Sequence, residues 1–555
     1  MPLLTWYDAA AARAYYATGV WREETLYGAL CRHAVERPGA YALRDATRRI
    51  RWAELRVWVD ALDARLHAHG LRAGDRVAVW VSNRCEATVV LLACARNGYV
   101  CNPSLHQNYT LAEIVDLLRH IGARCLIAEA GHGADARADE VFAQAAQLPN
   151  WCGAIAVAAR PGRPIATAPV EAFPSPTQMD AAPLPAPVTD PDKICYLAFT
   201  SGTTGKPKGV MHSDNTLLAN GRAMVADWGH HAGSVVLSLS PLSHHIATVA
   251  LEQVLVCGME LVINDPPAGS AALDWIAECG ADYVMGVPTH AIDLLAEMQR
   301  RGIKQLGRAR VFYMAGAPIP PAVARRLVAL GIRPQNVYGM TENGSHQYTR
   351  PDDSDAVVTD TCGRACSGYE IKLWRQENSD LEAEPGEIGE IGGRGGVLMR
   401  GYFDNQAATE ASFNRHGYFM SGDLGRVDAA GNLSIVGRKK DVIIRGGHNI
   451  FPARIEALAH RHGDILKAAA FCLPDDRLGE KVCLAIVCRA APMEAGAVLA
   501  HLAAEGLSKY DMPEYYIALD ALPLTASGKV LKRELTVWAT SGRIRPAPVR
   551  WQAPR

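Results

Sequence analysis

The chain has 555 residues, 49% hydrophobic and 21% charged, which is typical of a globular protein with about three or four domain-sized units. Its 57 lysines and arginines balance 58 aspartates and glutamates, and a net charge of -1 does not favour nucleic acid or an anionic membrane surface as a partner. We predict no membrane span, because no apolar run approaches about 18 residues. We predict no secretion signal, because the start lacks a basic segment followed by an apolar run. The 14 cysteines include no C-x-x-C pair, which argues against zinc and disulfides and favours a cytoplasmic location.

The first 150 residues alternate between helical and strand patterns. Helical spacing of apolar residues occurs at 52–69, 87–95 and 111–121, and buried strands are predicted at 77–81 and 125–128. This alternation predicts α/β layers with parallel strands. Residues 154–192 are rich in alanine and proline, and we expect them to form a surface connection rather than a core element.

A polar loop follows the next predicted strand, at 194–199. Residues 200–209 read Thr-Ser-Gly-Thr-Thr-Gly-Lys-Pro-Lys-Gly. Glycines let backbone N–H groups turn towards an anion, and hydroxyls and lysines add further donors, so the loop suits a polyphosphate. The alternative is a flexible linker, but a linker seldom follows a buried strand directly. The P-loop pattern of kinases and GTPases is absent, since Gly205-Lys206 is followed by Pro207.

Further small and polar groups follow predicted strands along the chain. Pro241 ends one strand and precedes His244 and His245, and the strand at 311–314 runs into Ala315-Gly316-Ala317-Pro318, where small residues allow a flat ring to approach. The remaining groups of interest are Tyr338-Gly339-Met340-Thr341-Glu342, Asp423, Arg438, Gly446-Gly447 and Gly528-Lys529.

Taken in this order, the motifs resemble those of the adenylate-forming superfamily, which comprises acyl-CoA synthetases, peptide-synthetase adenylation domains and beetle luciferases. The resemblance covers nearly the whole chain. It implies an α/β fold, with a large N-terminal domain of layered α/β subdomains and a small mobile α+β C-terminal domain. The implied boundaries are an adenylation domain at 1–438, a hinge at 439–441 and a mobile domain at 442–555.

The resemblance also implies a nucleotide site. Tyr338 would stack on adenine, Asp423 would accept hydrogen bonds from the ribose hydroxyls, and Arg438 would contact ribose and phosphate. Thr341 would donate to phosphate, and Glu342 would hold Mg²⁺, an oxygen-ligated cation. The other residues implied in ATP binding are Thr200, Ser201, Gly202, Thr203, Thr204, Gly205, Lys208, Gly316, Ala317, Pro318, Gly339 and Met340.

In the C-terminal part, the resemblance assigns the catalytic lysine to Lys529, which would bridge the carboxylate and the α-phosphate. Lys440 would be the pivot of the mobile domain, and Gly446 and Gly447 would shape the tunnel for coenzyme A. The sequence around Lys529 also resembles the site that lysine acetyltransferases modify in bacterial acyl-CoA synthetases.

The expected acid pocket has His244 as a wall and is mostly apolar. Its other implied residues are His245, Ile246, Val249, Met285, Gly286, Ala315, Gly316, Gly339 and Met340. Amino-acid-activating members place an aspartate shortly after the histidine, whereas this chain has no carboxylate before Glu252. A buried unpaired ammonium is too costly, so an amino-acid substrate is disfavoured.

The implied activity is an ATP-dependent carboxylic acid–CoA ligase that forms an acyl-AMP intermediate. The run 338–348 resembles cyclohexanecarboxylate-CoA ligases, which favours a compact hydrophobic acid. Alternatives are a medium-chain fatty acid or aryl acid ligase and a free-standing ligase that loads a carrier protein. A non-catalytic relative that only binds nucleotide or acyl groups, and an oxidative luciferase-like activity, also remain open.

Overall fold

A computed structural model describes residues 3–6, 8–135, 140–160, 170–177, 184–200, 207–317, 319–524 and 530–551. Within these residues the helices are α1 (Ala9–Ala17), α2 (Leu26–Glu36), α3 (Trp52–Ala68), α4 (Cys85–Asn97), α5 (Leu111–Ile121), α6 (Glu140–Ala145), α7 (Asp214–Trp228), α8 (His245–Cys257), α9 (Ala272–Cys279), α10 (Pro288–Arg301), α11 (Pro321–Ala329), α12 (Asp355–Asp360), α13 (Gln406–Glu410), α14 (Pro452–Ala459), α15 (Ala495–Ala504) and α16 (Lys532–Thr540). A 3-10 turn spans Lys439–Asp441.

The strands are β1 (Tyr41–Arg44), β2 (Arg49–Arg51), β3 (Arg76–Trp80), β4 (Val100–Asn102), β5 (Ala123–Glu129), β6 (Gly153–Val157), β7 (Glu171–Ala172), β8 (Ile194–Thr200), β9 (Lys208–Ser213), β10 (Val235–Ser238), β11 (Glu260–Ile263), β12 (Tyr283–Gly286), β13 (Val311–Met314), β14 (Arg333–Met340), β15 (Gly344–Tyr348), β16 (Arg364–Ala365), β17 (Tyr369–Trp374), β18 (Gly389–Gly395), β19 (Phe419–Val427), β20 (Leu433–Arg438), β21 (Ile443–Arg445), β22 (His448–Ile450), β23 (Ile465–Asp475), β24 (Gly479–Cys488), β25 (Tyr515–Ala518) and β26 (Ala547–Pro548).

The first sheet has seven strands in the order β7-β6-β5-β3-β4-β8-β9. Its pairs are parallel from β7 to β8, and only the last pair, β8–β9, is antiparallel within the described residues. Every residue of β3 and of α4 is buried. Uninterrupted burial is typical of a parallel strand covered on both faces and of a helix in the interior of the fold.

One expectation for this region is wrong. Residues 154–157 belong to β6, which pairs in parallel with β5, and not to a surface connection. Ile155 and Val157 are buried in the core. Small and β-branched residues alternate in this strand. The alternation covers only five residues, and the alanine- and proline-rich stretch that follows makes this short strand hard to recognise from the sequence.

The second sheet has nine strands in the order β16-β15-β14-β13-β12-β10-β11-β1-β2. Strands β14, β13, β12, β10 and β11 are parallel to one another, so their carboxyl ends meet at one edge. Ligands of open α/β sheets bind at such an edge. Helices α7 and α8 pack closely beside this sheet, because a Cβ at Gly221 would lie 2.7 Å from the backbone carbonyl carbon of Glu252.

Two further sheets complete the fold. Strands β17 to β20 form a four-stranded antiparallel sheet. The C-terminal sheet consists of β21 to β26 and has cores of its own, packed against α14, α15 and α16. The α/β class, with a large N-terminal part and a small C-terminal one, is therefore confirmed. The boundaries at 438 and 442 stay predictions.

Candidate functional site

The predicted phosphate loop connects β8 and β9 at the edge of the first sheet. Thr200 pairs with Lys208 in the strand register, and its hydroxyl lies 3.5 Å from the Lys208 carbonyl oxygen. The two ends of the loop are therefore held together by β-pairing. Lys208 lies at the end of this loop, as the sequence predicts, and is the first residue of β9. The loop residues Ser201, Gly202, Thr203, Thr204 and Gly205 lie outside the described residues, and their role stays a prediction.

A tyrosine lies between Lys208 and the predicted metal ligand, Glu342, and contacts both. Its Nζ is 4.5 Å from the centroid of the Tyr402 ring, a cation–π distance. The Tyr402 hydroxyl donates a 3.0 Å hydrogen bond to Oε1 of Glu342. The Glu342 backbone carbonyl accepts a 2.7 Å bond from the N–H of Met399. Sequence reasoning missed Tyr402, because it follows no motif and contacts Glu342 only through the fold.

The surroundings of Glu342 fit a hard divalent cation. The residue is 8% exposed, and one of its carboxylate oxygens is oriented by Tyr402. Carboxylate oxygen is the donor that Mg²⁺ prefers, with water and phosphate oxygens as the other ligands. Burial and the charge of Glu342 raise the pKa of Tyr402 above its ordinary value, so this phenol remains a hydrogen-bond donor at neutral pH.

Two of the residues predicted to bind the nucleoside, Tyr338 and Arg438, both contact the third, Asp423. The Tyr338 hydroxyl donates a 3.0 Å hydrogen bond to Oδ2 of Asp423, and Arg438 Nε lies 3.2 Å from Oδ1 of the same carboxylate. Asp423 and Arg438 are cross-strand partners in the β19–β20 pair. Two donors therefore orient the Asp423 carboxylate, which is the group that the sequence assigns to ribose.

The backbone beside Glu342 is supported by a buried histidine that the sequence did not single out. Nε2 of His212, in β9, lies 2.6 Å from the carbonyl oxygen of Thr341, and Nδ1 lies 3.0 Å from the Thr216 hydroxyl. Burial lowers the pKa of His212 to about 4, so the ring is neutral at pH 7. Since a carbonyl only accepts, the proton resides on Nε2. His212 thus links the phosphate-loop strand to the Thr341-Glu342 element.

The two histidines after Pro241 stand at the start of α8. The His244 ring stacks on His106 with ring centroids 4.4 Å apart. The His245 ring stacks on His212 at 5.5 Å, and its Nδ1 lies 3.3 Å from the Tyr196 hydroxyl. Desolvation lowers the pKa values of His106 and His245 to about 3, so both rings are neutral at pH 7. Two uncharged rings, those of His106 and His245, therefore lie beside His244 at the predicted wall of the pocket.

The other predicted pocket residues lie at the carboxyl ends of three neighbouring strands. Met285 and Gly286 end β12, Ala315, Gly316 and Ala317 follow β13, and Gly339 and Met340 end β14. Ile246 is close to this group, because a Cβ at Gly316 would lie 3.7 Å from Ile246 Cδ1. Pro318 lies outside the described residues.

Gly339 has a steric reason to be glycine. A Cβ at this position would lie 1.9 Å from the carbonyl oxygen of Gly344, across the β14–β15 turn. No side chain fits at that distance. The close approach of the two strands positions Thr341 and Glu342, which lie in the turn between them.

The predicted hinge and tunnel residues lie at the start of the C-terminal part. Lys440 is in the 3-10 turn, whose first residue, Lys439, forms a 2.7 Å ion pair with Glu390. Burial and the nearby Arg438 charge lower the pKa of Lys440. Gly446 and Gly447 form the turn between β21 and β22 with φ of +58° and +84°. Positive φ at both positions favours glycine.

Lys529 lies outside the described residues, and so its catalytic role stays a prediction. The chain on either side of it is paired. Leu524 and Val530 form an antiparallel bridge, and the N–H of Leu531 donates a 2.8 Å hydrogen bond to the carbonyl oxygen of Pro523. The residues that flank the Lys529 segment on its two sides are therefore held together by backbone pairing.

Comparison with known proteins finds related enzymes along most of the chain. Residues 30–403 match the family model described as AMP-binding enzyme, and residues 454–529 match that of the AMP-binding enzyme C-terminal domain. The chain is 33% identical over 473 residues to medium-chain fatty-acid–CoA ligase of Escherichia coli, covering 84% of this chain and 81% of that protein. It is 32% identical over 544 residues to salicyl-AMP ligase/salicyl-S-ArCP synthetase of Mycobacterium tuberculosis, covering 95% and 93%.

The fold is also similar to a solved structure with nucleotide bound. ATP-bound MatB from Rhodopseudomonas palustris superposes with a TM-score of 0.77 at 26% identity, covering 94% of this chain and 99% of that one. Among the residues that our structure describes, no helix combines the length and apolar character needed to cross a bilayer.

Proposed function

Because this chain belongs to the family of AMP-binding, adenylate-forming enzymes, we propose that it is an acid–CoA ligase that uses ATP and a compact hydrophobic carboxylic acid. The acid attacks the α-phosphorus of ATP and forms an acyl-AMP with release of pyrophosphate. The thiol of coenzyme A then attacks the acyl carbon, and AMP leaves. The enzyme class, an AMP-forming acid ligase, follows from the family, whereas the acid and the acceptor are our proposal.

The observation that carries the proposal is the arrangement of two oriented carboxylates. Asp423, held by Tyr338 and Arg438, offers acceptors to a ribose. Glu342, held by Tyr402 beside Lys208, lies at the other end of the Tyr338–Glu342 segment. A nucleotide placed with its ribose at Asp423 would direct its phosphates towards Lys208 and Glu342.

The difficulty of the first step is electrostatic, because an anionic carboxylate must approach an anionic phosphate. Mg²⁺ bound by Glu342 and by phosphate oxygens would neutralise part of the phosphate charge. Lys208, Thr341 and the predicted Lys529 supply further positive or donor groups. Preorganised groups of this kind account for most of the rate gain in phosphoryl and acyl transfer.

For the second step we propose a rotation of the C-terminal part about Lys440. Lys529 is needed only for acyl-AMP formation, so it can leave the site once the mixed anhydride exists. The Gly446-Gly447 turn would then face the active site and line the passage for pantetheine. Hinge motions of this kind exchange one active-site face for another.

For the acid, we propose cyclohexanecarboxylate or a compact relative. Support comes from the resemblance in residues 338–348 and from the pocket edge at 285–286 and 315–316, which carries apolar and small residues. A medium-chain or aryl acid is the alternative, and so is transfer to a carrier protein, which the similarity to salicyl-AMP ligase/salicyl-S-ArCP synthetase favours. A cytoplasmic location is part of the same proposal.

A panel of acids tests the proposal. Cyclohexanecarboxylate, benzoate, hexanoate and octanoate are incubated with ATP and Mg²⁺, with and without CoA, and AMP is measured. We expect CoA-dependent AMP release, fastest with cyclohexanecarboxylate. Release of ADP, or no turnover of any acid, would contradict the ligase assignment. If AMP release requires a carrier protein and not CoA, the carrier protein is the acceptor of the acyl group.

We further propose that a lysine acetyltransferase modifies Lys529 and thereby switches the enzyme off. Incubation with such an enzyme and acetyl-CoA should abolish acyl-AMP formation. The Lys529→Arg protein should take up no label at this position, and undiminished labelling of it would refute the site.

A further inference from the structure

Helix α8 carries a polar stripe on the face that turns towards β8. His245, Thr248 and Glu252 are spaced by three and four residues, which places them on one side of the helix. The Tyr196 hydroxyl of β8 lies 3.3 Å from His245 Nδ1 and 3.4 Å from the Thr248 hydroxyl. The stripe therefore begins at the predicted pocket wall and leads inwards to Glu252.

Glu252 is a buried carboxyl without a protein partner. The residue is 1% exposed, and neither carboxyl oxygen has a hydrogen-bond partner among the described residues. The groups that face it are neutral, because burial raises the pKa values of both Tyr196 and Tyr313. The Tyr313 hydroxyl is paired with the Ser345 hydroxyl at 2.7 Å.

The neighbouring residue ties this part of α8 to the predicted pocket. Gln253 is fully buried, and its Nε2 lies 3.6 Å from Sδ of Met285, a predicted pocket residue. Its Oε1 also has no partner among the described residues. Glu252 cannot withdraw from this position, because its backbone packs against α7 at Gly221.

An unpaired buried carboxyl destabilises the fold, since the group loses its hydration and gains no hydrogen bond in return. Burial raises the pKa of Glu252 well above its ordinary range and so favours the protonated carboxyl. A protonated carboxyl both donates and accepts a hydrogen bond. Its natural complement is a neutral hydroxyl, which also does both.

We propose that Glu252 is a specificity-determining residue that hydrogen-bonds a hydroxyl group of the acid substrate, on the side of the ring opposite the carboxyl group. The inference rests on the proposed ligase function and refines it, from an unsubstituted cyclic acid to a hydroxylated one of the same size. Glu252 is seven residues beyond His245, two helical turns deeper than the pocket wall.

Matched acids test the inference. The kcat/KM for AMP release is measured with cyclohexanecarboxylate and trans-4-hydroxycyclohexanecarboxylate, and with benzoate and 4-hydroxybenzoate. We expect the wild type to prefer the hydroxylated member of at least one pair by tenfold or more. Glu252→Leu should lose this preference while keeping its activity on the unsubstituted acid. The conservative Glu252→Gln, which retains a donor and an acceptor, should keep most of it.

Other outcomes overturn the inference. A wild type that prefers the unsubstituted acids, or trans-4-aminocyclohexanecarboxylate, would contradict a hydroxyl at this position. So would a Glu252→Leu protein that loses activity equally on both members of a pair. Because the Glu252→Leu substitution removes an unpaired carboxyl, the thermal midpoint of this variant should equal or exceed that of the wild type. A clear fall in the thermal midpoint would show that Glu252 stabilises the fold, which would contradict a role in substrate specificity. If no acid releases AMP with any of the proteins, the ligase proposal itself fails.

Discussion

The Tyr402 hydroxyl and the Glu342 carboxylate are joined by a 3.0 Å hydrogen bond between residues 60 positions apart in the chain. Tyr402→Phe removes this bond and leaves the ring beside Lys208. We expect kcat for acyl-AMP formation to fall about tenfold to 150-fold, with a higher Mg²⁺ requirement, because a hydrogen bond to a charged group contributes about 1.5–3 kcal/mol. Pyrophosphate release measured over a Mg²⁺ titration checks this.

The matched control for this change is Tyr418→Phe. Tyr418 also donates its hydroxyl to a carboxylate, that of Glu370, outside the predicted site. If both variants lower activity to the same extent, the effect of Tyr402 is a general loss of stability and not one of orienting Glu342.

Tyr338→Phe should weaken ATP binding with little change in the acid KM. The change removes one of the two donors that orient Asp423, while Arg438 keeps the other. We expect the KM for ATP to rise about fivefold to thirtyfold, corresponding to about 1–2 kcal/mol. Steady-state kinetics with each substrate varied in turn provides the measurement. An unchanged ATP KM would mean that Asp423 does not bind the ribose.

Gly339→Ala should destabilise the protein and inactivate it. The added Cβ would meet the Gly344 carbonyl oxygen at 1.9 Å, so the β14–β15 turn must open. We expect a loss of more than about 2 kcal/mol in the free energy of unfolding, as for other overpacked sites. Gly496→Ala in α15 is the control, because a Cβ there meets nothing within 4 Å. The free energy of unfolding of this control should rise by about 0.5–1 kcal/mol.

His106 makes the stability of the protein sensitive to acid. Burial and the adjacent His244 lower its folded-state pKa to about 3, whereas an unfolded histidine titrates near 6.5. Between these values the unfolded chain binds the proton and the folded one does not, so stability falls as the pH falls below about 6.5. His106→Phe keeps a ring against His244 and removes the titration.

We therefore expect wild type to lose about 2 kcal/mol more stability than His106→Phe between pH 7.5 and 5.0. Urea unfolding of both proteins at the two pH values gives the comparison. An equal difference between the two proteins at both pH values would show that folding does not shift the pKa of His106.

Lys529→Ala should separate the two half-reactions. We expect acyl-AMP formation to be lost, because the positive charge between the carboxylate and the α-phosphate is removed. Conversion of added acyl-AMP and CoA to the thioester should persist. The two half-reactions are assayed separately, by pyrophosphate release and by thioester formation. Equal loss of both would contradict the rotation about Lys440.

The sequence alone determined the fold class, the family and the order of its motifs. These depend on short segments: a strand followed by a glycine-rich loop at 200–209, or the Tyr338–Glu342 run at the end of β14. Local residues are sufficient here, because parallel strands bring such ends to one edge. The same local signal failed at β6, where a short strand is followed by an alanine- and proline-rich stretch.

Only the tertiary structure decided which groups support the site. His212 meets the Thr341 carbonyl across 129 residues, and Tyr402 reaches Glu342 from a loop without a motif. Glu252 is on a mostly apolar helix, and only the tertiary packing of α8 shows that its carboxyl has no partner among the described residues. Such contacts depend on the relative positions of whole elements, and no local periodicity encodes those positions.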